Sequence, residues 1–174
     1  MRITAIAAAA LLAVLLCGCS DTAISEENSV GGNYSSYDSE NKDISCEELA
    51  LLAIDSGVFP DMVKVTEQAL LDTVMDFSGY GIDEFSVYQQ AISVELSEIV
   101  IVHSKQPDEA EAALVKRREA LIKQYSFYPE QKESAENSVV FSLDGYSVLI
   151  AAKEPDAAVE AVKAEISDLS AKKE

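Results

Sequence analysis

Tryptophan is absent from this 174-residue chain, histidine occurs once, and 13 basic residues face 31 acidic ones. The deficit of basic charge leaves a net charge of −18. Such a chain repels nucleic acid, whose binding depends on a basic footprint that releases counterions. It also stays off an anionic lipid surface unless something else anchors it. Solubility is the plain consequence of the acidity; capture of cations or basic peptides is the more specific one. A lone His103 cannot build a zinc site, which takes several His or Cys ligands. No Gly-x-Ser-x-Gly elbow stands before a helix to complete a Ser–His–acid arrangement. His103 therefore reads as structural or solvent-facing, at the end of a buried strand. Gly79-Tyr80-Gly81 is too short for a phosphate loop and lacks the following Lys-Ser/Thr. Asp38-Ser39-Glu40-Asn41-Lys42-Asp43 has the acids of a calcium loop but neither its central glycine nor its final glutamate. No cofactor and no metal are expected.

Long apolar runs are missing too, with one exception. Residues 3–16 follow Arg2 and carry no charge. A membrane-spanning helix needs about 20 apolar residues, so this run fits the apolar part of a secretory signal, roughly 7–15 residues long. It closes on Leu16-Cys17-Gly18-Cys19. These four residues resemble the bacterial lipoprotein box: an aliphatic residue, two small ones, then the cysteine. The resemblance implies that signal peptidase reads Leu16, Cys17 and Gly18 and that the Cys19 thiol takes a diacylglyceryl group. Cys19 then becomes the first mature residue, and labelled palmitate is incorporated. One acyl chain binds a membrane marginally, whereas two anchor it. The expected location is the extracytoplasmic face of the cell membrane. The competing reading is a secreted protein cut near Gly18, with Cys17 and Cys19 in disulfides.

Removing residues 1–18 leaves 156 residues with a net charge of −19, since the removed part holds one Arg and no acid. That suffices for one domain and a tether. With Cys17 removed and Cys19 acylated, Cys46 is alone and forms no intramolecular disulfide. Glu47 and Glu48 beside it oppose a thiolate, so Cys46 reads as a passive small residue. Residues 19–43 hold Ser, Asp, Glu, Asn and Gly with almost no aliphatics, and cannot bury a core. As a flexible coil, about 25 residues would span about 25–30 Å. Asn33-Tyr34-Ser35 matches a glycosylation acceptor, a chance match beside a bacterial lipoprotein signal.

From residue 44 to 174 a single α+β domain is expected. Ser45-Cys46-Glu47-Glu48 reads as a capping box. Leu49, Leu52, Ala53 and Ser56 continue at helical spacing to Gly57. A second short helix opens at Thr66, with Leu70, Thr73, Val74 and Phe77 on one face. Residues 86–93 alternate weakly. Residues 98–103 contain Ile99-Val100-Ile101-Val102, a β-branched run that suits a buried strand. Pro107 and Asp108 open a long helix whose inner stripe is Ala110, Ala113, Leu114, Arg117, Leu121, Ile122 and Tyr125. Residues 138–143 and 146–152 form a hairpin around Asp144-Gly145. Pro155 starts the last helix. Residues 100–108 and 148–156 match at four of nine positions with a constant offset of 48. Two N-terminal helices and a ββαββα core follow: a mostly antiparallel four-stranded sheet with helices on one face.

From Phe59 onward the order of short motifs is distinctive. Phe59-Pro60, Tyr80-Gly81-Ile82-Asp83 and Ser97-Glu98-Ile99-Val100-Ile101 precede the helix near Arg118. Tyr128-Pro129-Glu130 and Gly145-Tyr146-Ser147-Val148-Leu149 complete the set. Over roughly 110 residues the chain resembles domain-of-unknown-function family 4358, a group of lipid-anchored bacterial proteins; the segment from Tyr125 to Pro129 is shorter than in relatives. The resemblance implies a location and a compact domain, and no activity.

For chemistry, Asp83, Glu95 and Glu98 lie near predicted strand ends, where a glycosidase-like carboxylate pair can sit; a solvated acidic face explains them equally. Tyr80, Tyr88, Tyr125, Tyr128 and Tyr146 fall at element ends, and Tyr80, Tyr88, Tyr128 and Tyr146 are the candidate interaction surface, since Tyr offers contact area at little entropic cost. Core packing with a wet hydroxyl is the competing account. The expected function is a non-enzymatic module, anchored through the diacylglyceryl group on Cys19, that binds an envelope protein or ligand and not nucleic acid. A Tyr-lined apolar patch on the free sheet face would favour it. The alternatives are a carboxylate-dependent envelope hydrolase and a cation-binding lipoprotein.

Overall fold

The computed structural model describes residues 43–92 and 95–172. The signal segment, Cys19 and the linker to residue 42 lie outside the described residues. The first helix, α1 (Cys46–Asp55), starts as its sequence dictates: Ser45 Oγ accepts from the Glu48 N–H at 3.1 Å, and Glu48 Oε2 accepts from the Ser45 N–H at 3.0 Å. Glu84 adds a second carboxylate, accepting from the Cys46 N–H at 3.0 Å, where the helix dipole favours negative charge.

The remaining elements are β1 (Met62–Lys64), α2 (Gln68–Val74), β2 (Ile82–Gln90), β3 (Glu98–Ser104), α3 (Pro107–Gln124), α4 (Pro129–Asn137), β4 (Val139–Leu143), β5 (Tyr146–Ala151) and α5 (Asp156–Lys172). The sheet runs β1-β2-β3-β5-β4, and every neighbouring pair is antiparallel. It has five strands, not four. The fifth, β1, pairs Met62 with Gln90 and Lys64 with Tyr88. Three residues are too few to show alternation, so the strand exists only through its pairing with β2. The helix α4 is also additional. Ala135 is its only buried apolar residue, so no stripe marks it in sequence. Pro129, which ends the α3 pattern, stands in the first turn of α4, a position proline tolerates.

The helices cover both faces of the sheet, not one. Tyr88, Ile99, Ile101, Phe141, Val148 and Ile150 point towards α1 and α5. Val87, Val100, Val102, Leu149 and Ala151 point towards α2, α3 and α4. Antiparallel pairing explains the change. β3 and β5 lie side by side, with Ile99 opposite Ile150 and Ile101 opposite Val148. Positions related by the 48-residue offset therefore face opposite ways: Val100 meets α3, and Val148 meets α1 and α5. The two copies share a pattern and not a face, so each strand sends its following helix to a different side.

The β4–β5 turn holds Asp144 at φ +48° and Gly145 at φ +85°, the pair of positive values that a two-residue hairpin turn requires. A Cβ on Gly145 would sit 3.2 Å from His103 Nε2. Gly145→Ala is expected to cost about 1–2 kcal/mol in urea unfolding, from the left-handed backbone alone. A loss under about 0.5 kcal/mol would mean that the turn relaxes.

Candidate functional site

The sheet has two distinct ends. At one end Tyr146 and His103 face each other across β5 and β3, their rings tilted with centroids 4.8 Å apart. The chain joins the domain here, since Tyr146 Oη donates to the Ile44 carbonyl at 2.6 Å. The last turn of α5 returns here too, with Ser170 Oγ donating to Asp144 Oδ2 at 2.7 Å. His103 Nδ1 is 3.9 Å from Asp83 Oδ2, too far for a hydrogen bond. Asp83 pairs instead with Lys105 at 3.1 Å. Cys46 is buried, and its Sγ lies 3.5 Å from the Glu84 carbonyl. Burial, with the Glu84 charge adding, pushes its thiol up to about 12. Iodoacetamide at mildly alkaline pH should leave Cys46 unmodified in the folded chain and label it after urea denaturation, read by mass spectrometry. Rapid native labelling would contradict this burial.

The candidate tyrosines do not form one surface. Tyr88 and Tyr146 are buried in the layer under α1 and α5. Desolvation raises the pKa of both hydroxyls, with further repulsion from Glu47 at Tyr88 and chiefly from Asp43 at Tyr146. Tyr80 packs against the opposite layer. Its backbone is left-handed (φ +60°), and its carbonyl accepts from Ser104 Oγ. Tyr128 is exposed, next to a Phe127 that is 90 % exposed. The Tyr-lined free sheet face does not exist, because helices occupy both sides.

The other end of the sheet holds a site that the four tyrosines of the candidate surface did not mark. Glu98 opens β3 with its side chain only 2 % exposed. Across from it, Arg117 on the inner stripe of α3 donates from Nε to Glu98 Oε1 at 2.8 Å and from Nη2 to Glu98 Oε2 at 2.6 Å. Gln89 Nε2 donates to the same Oε2 at 2.8 Å, and Arg117 Nη1 reaches the Thr73 carbonyl at 3.0 Å. The pair thus joins β2, β3, α2 and α3. A bidentate guanidinium–carboxylate contact is directional. Burying it costs desolvation that its attraction roughly offsets.

This pair lines a pocket of about 270 Å³ together with Thr73, Gln89, Gln90, Leu96, Gln124 and Tyr125. Gln90 Oε1 accepts from the Ser97 N–H at 3.0 Å, which leaves its amide nitrogen to the pocket. Burial and then the Glu98 charge raise the Tyr125 hydroxyl pKa, so it stays protonated at neutral pH. A second pocket of about 290 Å³ lies between Pro60, Asp61, Ile92 and Glu95. Asp61 and Glu95 are both exposed to water. Asp83 is no partner for Glu98: five residues of strand separate their ends, about 17 Å, beyond the spacing of a glycosidase pair. Among the described residues, no cluster of three or more His, Cys, Asp or Glu is placed to hold a metal ion, and no helix is long and apolar enough to cross a membrane.

The family described as Domain of unknown function (DUF4358) matches residues 55–152. The chain belongs to this family. No curated protein and no solved structure matches it. The DUF4358 match runs from the last residue of α1 to just past β5, so it contains the whole sheet with α2, α3 and α4. Every residue lining the Glu98–Arg117 pocket falls within the DUF4358 segment, whereas α5 falls outside it. The pocket was half legible in the sequence. An acid heading a buried strand and an arginine on an apolar helix stripe each ask for a partner, and only the crossing of α3 over the sheet joins them.

Proposed function

We propose that this DUF4358 chain is a lipid-anchored module on the outer face of the cell membrane that binds an envelope component through its Glu98–Arg117 end. The observation that carries the reading is the pocket over that buried pair. Both charges are spent on each other, so the floor is rigid and electrically neutral. Such a floor orients a ligand and supplies no free acid or base. Support for the anchor is the Leu16-Cys17-Gly18-Cys19 box. Within the domain, Ile44 is fastened at the Tyr146 end of the sheet, the end opposite the pocket.

Two experiments test the reading. Labelled palmitate is expected to enter the wild-type chain in cells and not the Cys19→Ala variant; unlabelled wild-type protein in the culture supernatant would overturn the anchor. A photocrosslinker at Gln124 in the anchored chain is expected to capture an envelope component that a crosslinker at Ser170 does not. Equal capture at both positions would overturn the placement. The second reading, a carboxylate-dependent envelope hydrolase, draws on the shared pocket of Asp61 and Glu95. It requires turnover of envelope polymer that Asp61→Asn and Glu95→Gln each abolish.

A further inference from the structure

We infer that the Glu98–Arg117 pocket takes a neutral, hydroxyl-rich ligand of the size of one sugar ring, a saccharide unit of an envelope polymer. The inference rests on the binding-module reading and specifies its ligand. Size comes first. Ligand pockets run from about 300 Å³ upwards, and this one, at about 270 Å³, holds a single ring and no extended chain.

Charge comes second. Arg117 is committed bidentately to Glu98, so an anionic ligand finds no unpaired cation. The surrounding chain, at −18, repels it further. A cationic ligand finds a carboxylate already accepting three hydrogen bonds.

The hydrogen-bonding inventory comes third. The groups left to the pocket are the Gln89 carbonyl oxygen, the Gln90 amide nitrogen, the Gln124 amide and the Tyr125 hydroxyl. They include both donors and acceptors, and each hydroxyl of a polyol is both. The Tyr125 ring adds the one aromatic surface, suited to the C–H face of a sugar. A peptide has no handle here. Strand addition needs a free sheet edge, and β2 and β3 are paired on both sides. Helix docking needs an apolar groove, and acidic motifs need an unpaired basic cluster; the pocket offers neither.

The test is ligand-observed saturation-transfer NMR on the full-length protein in detergent micelles. Four probes are used at millimolar concentration: N,N′-diacetylchitobiose, maltose, glucuronate and the neutral, N-acetylated tripeptide amide of Ala-Gly-Ala. Saturation is expected on at least one neutral disaccharide and on neither glucuronate nor the peptide. Tyr125→Phe and Gln124→Ala remove side-chain groups with no hydrogen-bond partner among the described residues, so both should keep the wild-type circular dichroism and melting curve. Each is expected to weaken the saccharide about 3–10-fold, the worth of one hydrogen bond. Saccharide binding unchanged by both variants would overturn the site. Peptide or glucuronate binding without saccharide binding would overturn the ligand class while leaving a binding module standing. Silence from all four probes would overturn this inference, while the Gln124 crosslink decides the broader reading independently.

Discussion

Arg117→Ala is expected to cost about 3–5 kcal/mol of folding stability, because it strands a buried carboxylate. Glu98 keeps only the Gln89 amide as a donor in that variant. The Glu98→Gln/Arg117→Ala double variant removes the stranded charge and is expected to be clearly more stable than Arg117→Ala alone. Urea unfolding followed by circular dichroism reads both, with the slope checked for constancy. A single-variant loss under about 1 kcal/mol would mean that water reaches Glu98, as for an ordinary surface pair. The neutral pocket floor would then be wrong as well. The outcome therefore decides between a clamp sealed from solvent and a loose contact, which matters for any ligand resting on it.

A second pair of substitutions tests the layering. Leu149→Ala and Ile101→Ala should each cost about 2–5 kcal/mol, the range for truncating a buried aliphatic side chain. Both residues are fully buried on central strands, Leu149 against the α2–α3–α4 layer and Ile101 against the α1–α5 layer. A sheet with one open face would spare one of them. Leu51 on the outer side of α1 is 44 % exposed, and Leu51→Ala should stay within about 0.5 kcal/mol, as surface changes do. Equal tolerance at Leu149 and Leu51 would overturn the two-sided core.

Local signals in the sequence were reliable where a few adjacent residues settle the geometry. The Ser45–Glu48 capping box and the Asp144-Gly145 turn both stand as read. The β3 run is buried, as its β-branched composition implies. Ile99-Val100-Ile101-Val102 is apolar at every position, and a strand apolar at every position needs cover on both faces. That pattern already argued against a sheet with one side free. Neither β1 nor α4 could be seen. The first is defined by its partner strand, and the second is almost wholly polar and held by Ala135 and by its contacts with α3. The site failed for a related reason. Tyr88 and Tyr146 drew attention as aromatics at element ends, but their rings fill the core. Glu98 stands out in the sequence as an acid near a strand end and Arg117 as a residue of a helix stripe. Nineteen positions separate them, and no periodicity within either element reveals that α3 lays one over the other.

The hydrogen bond from Tyr146 to the Ile44 carbonyl spans 102 positions of sequence. Together with the contact from the Cys46 N–H to Glu84, it fastens the start of the domain to β5 and β2, the strands flanking β3. Tension arriving through the preceding segment passes into the middle of the sheet before α1 can peel away. Rupture under such a pull is governed by the unfolding rate and not by equilibrium stability. Ile44 and the last turn of α5 are both fastened at that side, away from Glu98. In the anchored arrangement proposed above, a ligand held there would stay gripped under such a pull.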